Sequence, residues 1–248
     1  MPLDASYDGY RIKYRHSDQS FVMVAPPVPS GPVTLQLSQF TGALVPSGTM
    51  VTSSWSPAAN NLLFCCIGIR GNSTPAAHVT GVSGNGLTWT KILEGDDVQN
   101  AVCFQIWWAK GPSPTAGAVT LTLSTLTTNI GVHLISFSDV APSPIGNFST
   151  ANTGATDTTP IVTSLSTSAN NSKVLAFAVN RNQVVSIPGG SVFSAILVNQ
   201  VLDSGGNIGR TSSYISSEIP SSGTTVTASF TPSGAADWII GAVEIKRA

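Results

Sequence analysis

The residues best suited to chemistry in this chain are few and widely spaced. The histidines and cysteines number three each, and they are His16, His78, His133, Cys65, Cys66 and Cys103. Their spacing gives no CxxC pair, no HExxH motif and no Cys/His zinc pattern. We therefore expect the histidines to be structural residues, and the cysteines to be reduced core thiols in a protein made in the cytosol.

Paired carboxylates, which glycoside hydrolysis would require, are also not indicated. Asp96 and Asp97 are adjacent, so a strand would direct them to opposite faces, and the segment EGDD favours a turn. Asp203 with Asn207 supplies too few ligands for calcium, and a Gly-Gly hairpin turn explains that segment. We predict a protein that is not an enzyme and that uses no cofactor or metal.

Tryptophan rings could instead form a platform for sugars. Strand alternation over residues 101–109 separates Trp108 from Trp107, which shares its side with Cys103 and Gln105. Trp107 is therefore the candidate for an exposed aromatic that contacts a ligand. Packing of Trp107 against a neighbouring sheet or subunit is nevertheless the interpretation that we favour.

The N-terminal stretch YDGYRIKYRH differs in composition from the rest of the chain. Three of the four tyrosines lie there together with several cations, and the candidate contact residues are Tyr7, Tyr10, Arg11, Tyr14 and Arg15. Tyrosine and arginine are enriched at the energetic centres of protein interfaces. We predict that this segment anchors on another protein; an extra strand docked on the chain's own sandwich is the alternative.

Composition excludes several other functions. Charged residues make up 9% of the chain and the net charge is −1, so we expect neither nucleic acid nor an anionic membrane as a partner. The longest strongly apolar run, residues 62–69, is far shorter than the roughly 20 residues of a spanning helix, so no membrane insertion is expected. The N-terminus lacks the apolar region of a secretion signal.

The remaining elements read as strands. Val, Ile and Thr are abundant, and runs of strand-like residues alternate with Gly, Pro, Asn and Ser. The segment 119–124 alternates and predicts a strand with one wet face, whereas the continuous apolar run 62–69 predicts a central strand covered on both sides. An all-β, jelly-roll-like β-sandwich is predicted.

The strand pattern also occurs twice. SPAANNLLFCCIGIR (56–70) matches STSANNSKVLAFAVNR (166–181), and segment 117–137 matches 223–245 as a hairpin-like pair. Two sequence-similar halves follow, with Asn60–Asn61 and Asn170–Asn171 at equivalent turns. The predicted organisation is an arm with a Pro-rich linker (1–40), a first sandwich repeat (41–146) and a second (147–248). Whether the repeats form one sandwich or two is left open.

A family resemblance adds to this reading. The pattern NNLLFCCIGIRG, GLTWTKI, AVCFQIWWAKG, AVTLTLS and GVHLISFSDV resembles Ser/Thr-rich β-sandwich proteins encoded in the structural gene clusters of tailed bacteriophages. The resemblance spans about residues 45 to 247 and carries no catalytic residue. It implies a virion component such as a capsid decoration, head-fibre or tail-associated protein.

The sequence therefore predicts a non-enzymatic virion structural protein, made in the host cytoplasm and anchored to the capsid or tail by its N-terminal arm. We expect a homo-oligomer, with a host-surface glycan left open as a further ligand. The alternative function is a carbohydrate-binding module or adhesin.

Overall fold

A computed structural model describes residues 11–15, 20–24, 31–45, 48–71, 78–97, 102–124, 128–152, 159–181, 183–202, 209–235 and 237–248. These residues form antiparallel β-strands and turns with no helix, so the predicted all-β class is confirmed. No described segment is a helix long and apolar enough to span a membrane. The chain divides into two compact units, residues 1–31 (the hairpin unit) and residues 32–248 (the sandwich unit).

The hairpin unit contains two paired strands. They are β1 (Arg11–Arg15) and β2 (Ser20–Val24), which run antiparallel with Tyr14 opposite Phe21. The segment predicted to be an anchoring arm therefore contains a hairpin.

The sandwich unit consists of two halves with eight strands each among the described residues. The first half (residues 34–138) contains β3 (Thr34–Val45), β4 (Thr49–Val51), β5 (Leu62–Gly71), β6 (Val79–Gly84), β7 (Thr90–Asp96), β8 (Val102–Lys110), β9 (Val119–Leu123) and β10 (Thr128–Ser138). The second half (residues 140–247) contains β11 (Val140–Asn152), β12 (Ile161–Ser166), β13 (Lys173–Arg181), β14 (Val185–Ser186), β15 (Phe193–Leu202), β16 (Gly209–Ser216), β17 (Thr225–Pro232) and β18 (Trp238–Arg247).

The two halves have the same strand order. The first half forms a five-stranded sheet, β3-β10-β5-β8-β7, and a three-stranded sheet, β4-β9-β6. The second half forms β11-β18-β13-β16-β15 and β12-β17-β14, so each strand follows its counterpart by eight elements. The jelly-roll assignment and the sequence duplication stay predictions.

Three hydrophobic clusters show how the sheets are layered. The first lies between the five- and three-stranded sheets of the first half, where Ile67 and Leu121 are both buried. The third occupies the same place in the second half, around Phe230. The second joins the two five-stranded sheets face to face and includes Phe64 and Phe177. The sandwich unit therefore has four layers, with the five-stranded sheets in the middle.

This layering explains the two strand patterns. Every residue from Leu62 to Arg70 is buried, because β5 lies in a sheet that is covered on both faces. In β9, Val119, Leu121 and Leu123 are buried, whereas Thr122 between them is exposed. The predicted central strand, covered on both faces, and the predicted strand with one solvent-exposed face are both confirmed.

The limits of the halves differ from the predicted ones. β3 begins at Thr34 rather than 41, and β11 begins at Val140 rather than 147. Asp139 separates the halves with a φ of 59°, the left-handed conformation that short polar residues tolerate in tight turns. In both halves an asparagine with positive φ, Asn60 or Asn171, stands two residues before the central strand.

A polar cluster lies within the interface between the halves. His133 of β10 is fully buried, and its ring nitrogens lie 2.9 Å from the Ser213 hydroxyl and 2.8 Å from the Thr211 hydroxyl, both on β16. Phe177 of β13 contacts the imidazole edge-on, with ring centroids 5.1 Å apart. His133 is thus the structural residue predicted, and it links the two halves.

Candidate functional site

The predicted partner-binding residues belong to the hairpin unit. Tyr7 and Tyr10 lie outside the described residues. Arg11, Tyr14 and Arg15 lie in β1, and the register pairs Arg11 with Val24 and Arg15 with Ser20. Three of the five predicted residues are therefore on one strand of a hairpin.

The structure decides between the two alternatives for Trp107. Its ring is only 8% exposed and belongs to the core between the two sheets of the first half. Its indole nitrogen donates a 3.0 Å hydrogen bond to Gln105. The predicted alternation along β8 holds, but the side that carries Trp107 is covered by the first half's own sheets. Trp107 packs in the core instead of forming an exposed platform.

One other tryptophan borders a surface groove. Trp55, Trp89 and Trp238 are buried, whereas Trp108 is partly exposed. Trp108 lines a groove of about 210 Å³ together with residues 142–145, two of which are prolines. This groove, which we call the Trp108 groove, offers one aromatic surface and no titratable side chain.

A larger groove lies in the second half. It has a volume of about 480 Å³. Its lining consists of residues 188–192, Ile219 and residues 224–227 and 229, most of which belong to β17. Its side chains are Ser, Thr, Pro, Val and Ile, so it offers hydroxyl and apolar contacts but no group for acid–base chemistry.

The densest group of chemically capable side chains lies in the first half. His78 precedes β6, and its Nδ1 lies 2.7 Å from Oε1 of Glu94 on β7. On the other side of the ring, Nε2 lies 3.5 Å from Oδ1 of Asp96, at the end of β7. Cys103 of β8 completes the group, since ligand atoms of His78, Asp96 and Cys103 all lie within 4.8 Å of one another. We call these four residues the His78 cluster.

Glu94 is held in place by two further donors. Lys91 donates a 2.5 Å hydrogen bond to its Oε2, and Gln105 donates one of 2.6 Å to its Oε1. Partial burial opposes the charge of Glu94, but hydrogen bonds from Lys91, Gln105 and His78 outweigh that effect and lower the pKa of this carboxyl. Because Gln105 also accepts from Trp107, the orientation of Glu94 is fixed from within the core.

The other two members of the cluster respond to burial. Desolvation is the main cause that raises the pKa of Asp96 above its ordinary value, and the charges of Glu94 and Asp97 act in the same direction. Desolvation, reinforced by nearby carboxylates, also raises the pKa of the Cys103 thiol. A thiol held neutral is a poor nucleophile, so the cluster is not the arrangement of a cysteine–histidine enzyme.

Sequence reasoning did not identify this cluster as a site. The turn expected over EGDD is wrong, because Glu94 to Asp96 belong to β7; Asp96 faces His78, whereas Asp97 is buried near Arg70 and accepts a hydrogen bond from the Val102 amide. The prediction of buried cysteines is confirmed too, and no disulfide joins the three. No motif signals that positions 78, 96 and 103 meet, because pairing of distant strands brings them together.

No known protein family matches this sequence, and no curated protein or solved structure shows significant similarity to it.

Proposed function

We propose that this chain is a non-enzymatic structural protein of a tailed-bacteriophage virion, of the capsid-decoration, head-fibre or tail-associated kind. It attaches to the particle through the hairpin unit and presents the sandwich unit outward. The observation that carries the proposal is the division of the chain into a small unit of residues 1–31 and a large unit of residues 32–248. A protein that attaches by one segment and displays another requires this organisation.

The composition of the hairpin unit supports attachment to a partner protein. A two-stranded hairpin alone is marginally stable in water, so it gains most from packing on a further surface. The register places Ile12 opposite Met23 and Tyr14 opposite Phe21, and it places the cations Arg11, Lys13 and Arg15 at alternate positions of β1. Tyrosine and arginine commonly dominate the binding energy of an interface.

The sandwich unit supports a structural role as well. Its four layers bury three hydrophobic clusters, and Ser and Thr rather than charged residues provide much of its polar surface. Among the described residues, the two grooves lack the paired carboxylates or activated nucleophile of a hydrolase.

We propose that the outer edge of β3 joins copies of the chain. Three of the four edge strands of the five-stranded sheets have features that hinder pairing with another chain. β7 carries Lys91, Glu94 and Asp96, β11 contains prolines and bulges, and β15 contains two bulges. β3 is twelve residues long, carries neither a charge nor a proline, and has a single register shift, near its N-terminal end between Leu35 and Leu37. An uncharged edge can pair antiparallel with its own copy without like-charge repulsion, and a second β3 is therefore its proposed partner.

Attachment can be tested with full-length protein and a form that begins at Pro32. Both should show the same thermal unfolding, because every buried core residue that the structure describes lies within residues 32–248. Only the full-length form should sediment with purified particles that lack the protein. Replacing Tyr10, Arg11 and Tyr14 together by Ala should abolish co-sedimentation, whereas the control Lys246→Ala should not. A truncated form that unfolds, while any folded fraction still binds particles, would mean that the segment serves the chain's own fold; a folded truncated form that still binds would place the attachment elsewhere.

A carbohydrate-binding module is the second candidate function, and the Trp108 groove is the observation that favours it. Stacking of one sugar ring on Trp108 would give weak binding that Trp108→Ala removes. Titration with an oligosaccharide panel, followed by tryptophan fluorescence, tests this. The carbohydrate-binding function would be supported if binding is saturable, is lost in Trp108→Ala and is kept in the form that begins at Pro32. Such a result would show that the sugar binds to the sandwich unit without the hairpin unit.

A further inference from the structure

The His78 cluster combines three side chains that commonly bind transition metals. An imidazole, a carboxylate and a thiol come from three separate elements: the residue before β6, the end of β7 and the second position of β8. Each is a known zinc ligand, and three protein ligands plus a water form a common tetrahedral arrangement.

The distances suit a small cation. Zinc bonds of about 2.0–2.3 Å separate neighbouring tetrahedral ligands by roughly 3.5 Å. His78 Nε2 and Asp96 Oδ1 lie 3.5 Å apart, and no pair in the group of three exceeds 4.8 Å. A shift of about 1 Å of Cys103 toward the other two would therefore complete the geometry.

The second observation is an unsatisfied oxygen. Oδ1 of Asp96 is buried and makes no hydrogen bond among the described residues; its ion-pair contact with Nε2 of His78 is long, at 3.5 Å. A buried carboxylate oxygen without a partner is costly, and a bound cation would satisfy it. This oxygen distinguishes the cluster from an ordinary surface group of charges.

Glu94 supplies the orientation that a metal-binding imidazole needs. Histidines that bind a metal through one nitrogen usually donate the other N–H to a carboxylate, which fixes the ring and its tautomer. His78 Nδ1 lies 2.7 Å from Glu94, which Lys91 and Gln105 hold in place. Nε2 is then left with its lone pair, 3.5 Å from Oδ1 of Asp96.

We propose that His78, Asp96 and Cys103 bind one divalent transition-metal cation of the zinc class, with Glu94 positioning His78. Thiol and imidazole ligands select zinc over magnesium or calcium, which prefer oxygen ligands. The side chains of His78 and Asp96 are 31% and 33% exposed, so a cation can enter from solvent, whereas Cys103 would bind it from the core side as the thiolate, with its proton released to solvent when the metal–sulfur bond forms.

The metal would have a structural effect within the first half. His78 adjoins the three-stranded sheet through β6, and the other two ligands belong to the five-stranded sheet, so the cation would fasten the two layers together. The second half has no equivalent thiol. In the first half, Ile69, the residue before Arg70, pairs with Cys103. In the second half, Asn180, the residue before Arg181, pairs with Arg210.

Cobalt(II) is the probe that tests the proposal on the full-length protein. Chelator-treated protein should bind one equivalent of Co²⁺ and develop the near-ultraviolet band of a cobalt–thiolate bond. Zinc should displace the cobalt, and it should raise the melting temperature. Cys103→Ser should eliminate the band, and His78→Gln and Asp96→Asn should each weaken cobalt affinity at least tenfold.

Cys65→Ala is the matched control, because Cys65 is buried in the same hydrophobic cluster as Cys103 but is not part of the site. This variant should keep the band and the affinity. His78→Gln changes a partly exposed side chain, so it gives a result even if Cys103→Ser does not fold. Absence of cobalt binding, binding without a thiolate band, or binding unchanged in His78→Gln and Asp96→Asn would overturn the proposal.

Discussion

Nε2 of His133 lies 2.8 Å from the hydroxyl oxygen of Thr211, and this contact crosses from the first half of the sandwich unit to the second. The imidazole is fully buried in the interface between the two five-stranded sheets. Burial disfavours the charged ring and lowers the pKa of His133 to about 3. The stability of the interface between the two halves should therefore depend on pH.

Acidification should destabilise the protein through His133. In the unfolded chain this histidine takes up a proton near its ordinary value of 6.5, whereas in the folded protein it does so only near pH 3. The unfolded state binds more protons between these values, so the His133 contribution is intact above about pH 6.5 and decreases by up to about 1.4 kcal/mol per pH unit below it.

The measurement is the free energy of unfolding of wild type and His133→Gln from pH 7 to pH 4. Carboxylates titrate in the same range in both proteins, so only the difference between the two curves reports on His133. The wild type should lose stability more steeply. Parallel curves would show that His133 is not buried as a neutral ring.

Gly68→Ala should destabilise the same interface. A Cβ at this position would lie 2.3 Å from Cγ2 of Thr211 and 2.9 Å from a methyl carbon of Val179, both in the second half. Overpacking of this kind typically costs about 1–3 kcal/mol, which denaturant unfolding can measure. Gly81→Ala is the control in another strand, because no atom of the described residues would lie within 4 Å of its Cβ; we expect a change below about 0.5 kcal/mol.

The clash can also be relieved from the other side. Thr211→Ser removes the nearest methyl group and keeps the hydroxyl that contacts His133. The double variant should therefore be more stable than the sum of the two single changes predicts. Additive effects would show that the cost of Gly68→Ala has another origin.

Glu244→Gln should destabilise the second half by about 2–3 kcal/mol, because hydrogen bonds to a buried charged acceptor are strong. The Glu244 carboxylate is fully buried and accepts from the Asn147, Ser168 and Ala169 amides and from the Ser168 hydroxyl. Desolvation disfavours its charge, but these bonds dominate and lower the pKa of the carboxyl. Glutamine would direct an amide NH₂ at donors that need an acceptor.

Glu218→Gln is the control for this change. Glu218 is one-third exposed and lies 3.7 Å from Arg247, and such surface pairs contribute up to about 1 kcal/mol. Chemical denaturation of both variants provides the comparison. Equal losses would argue against the special role of Glu244.

Leu37→Lys should prevent association of copies through β3. Leu37 is 38% exposed on this uncharged edge strand, and a lysine there would face another lysine or disrupt pairing when two β3 strands approach. The molar mass from size-exclusion chromatography with light scattering should decrease. Val184→Lys, an exposed change outside the edge, should leave it unchanged. A mass unaffected by Leu37→Lys would place the contact between copies elsewhere.

Much of the strand layout follows from the sequence because side-chain alternation is local. The alternating run that became β9 and the continuous apolar run that became β5 both have the burial that their patterns predict. The inward and outward sets of β8 were also separable by alternation. Side-chain alternation does not predict how many sheets pack on one another. Trp107 is buried because a further sheet covers the face of β8 that it shares with Cys103.

The His78 cluster was not predictable for a related reason. Its members are separated by 18 and 7 positions and share no metal-binding motif. Asp96 lies opposite Cys103 only because β7 and β8 pair in one particular register. Such a register is set by turns and bulges, including the shift between Lys91 and Leu93, which a single sequence does not specify.

The face-to-face packing of the two five-stranded sheets has a consequence for synthesis on the ribosome. When the first half has emerged, the sheet face that carries Phe64, Phe104 and Phe137 has no cover until the second half is made. At about 5–20 residues per second, the remaining chain of roughly 110 residues takes about 5–20 s. During that interval the nascent chain exposes an apolar surface that invites aggregation. Fragments that end near Asp139 should therefore require a chaperone, or a second copy, to stay in solution.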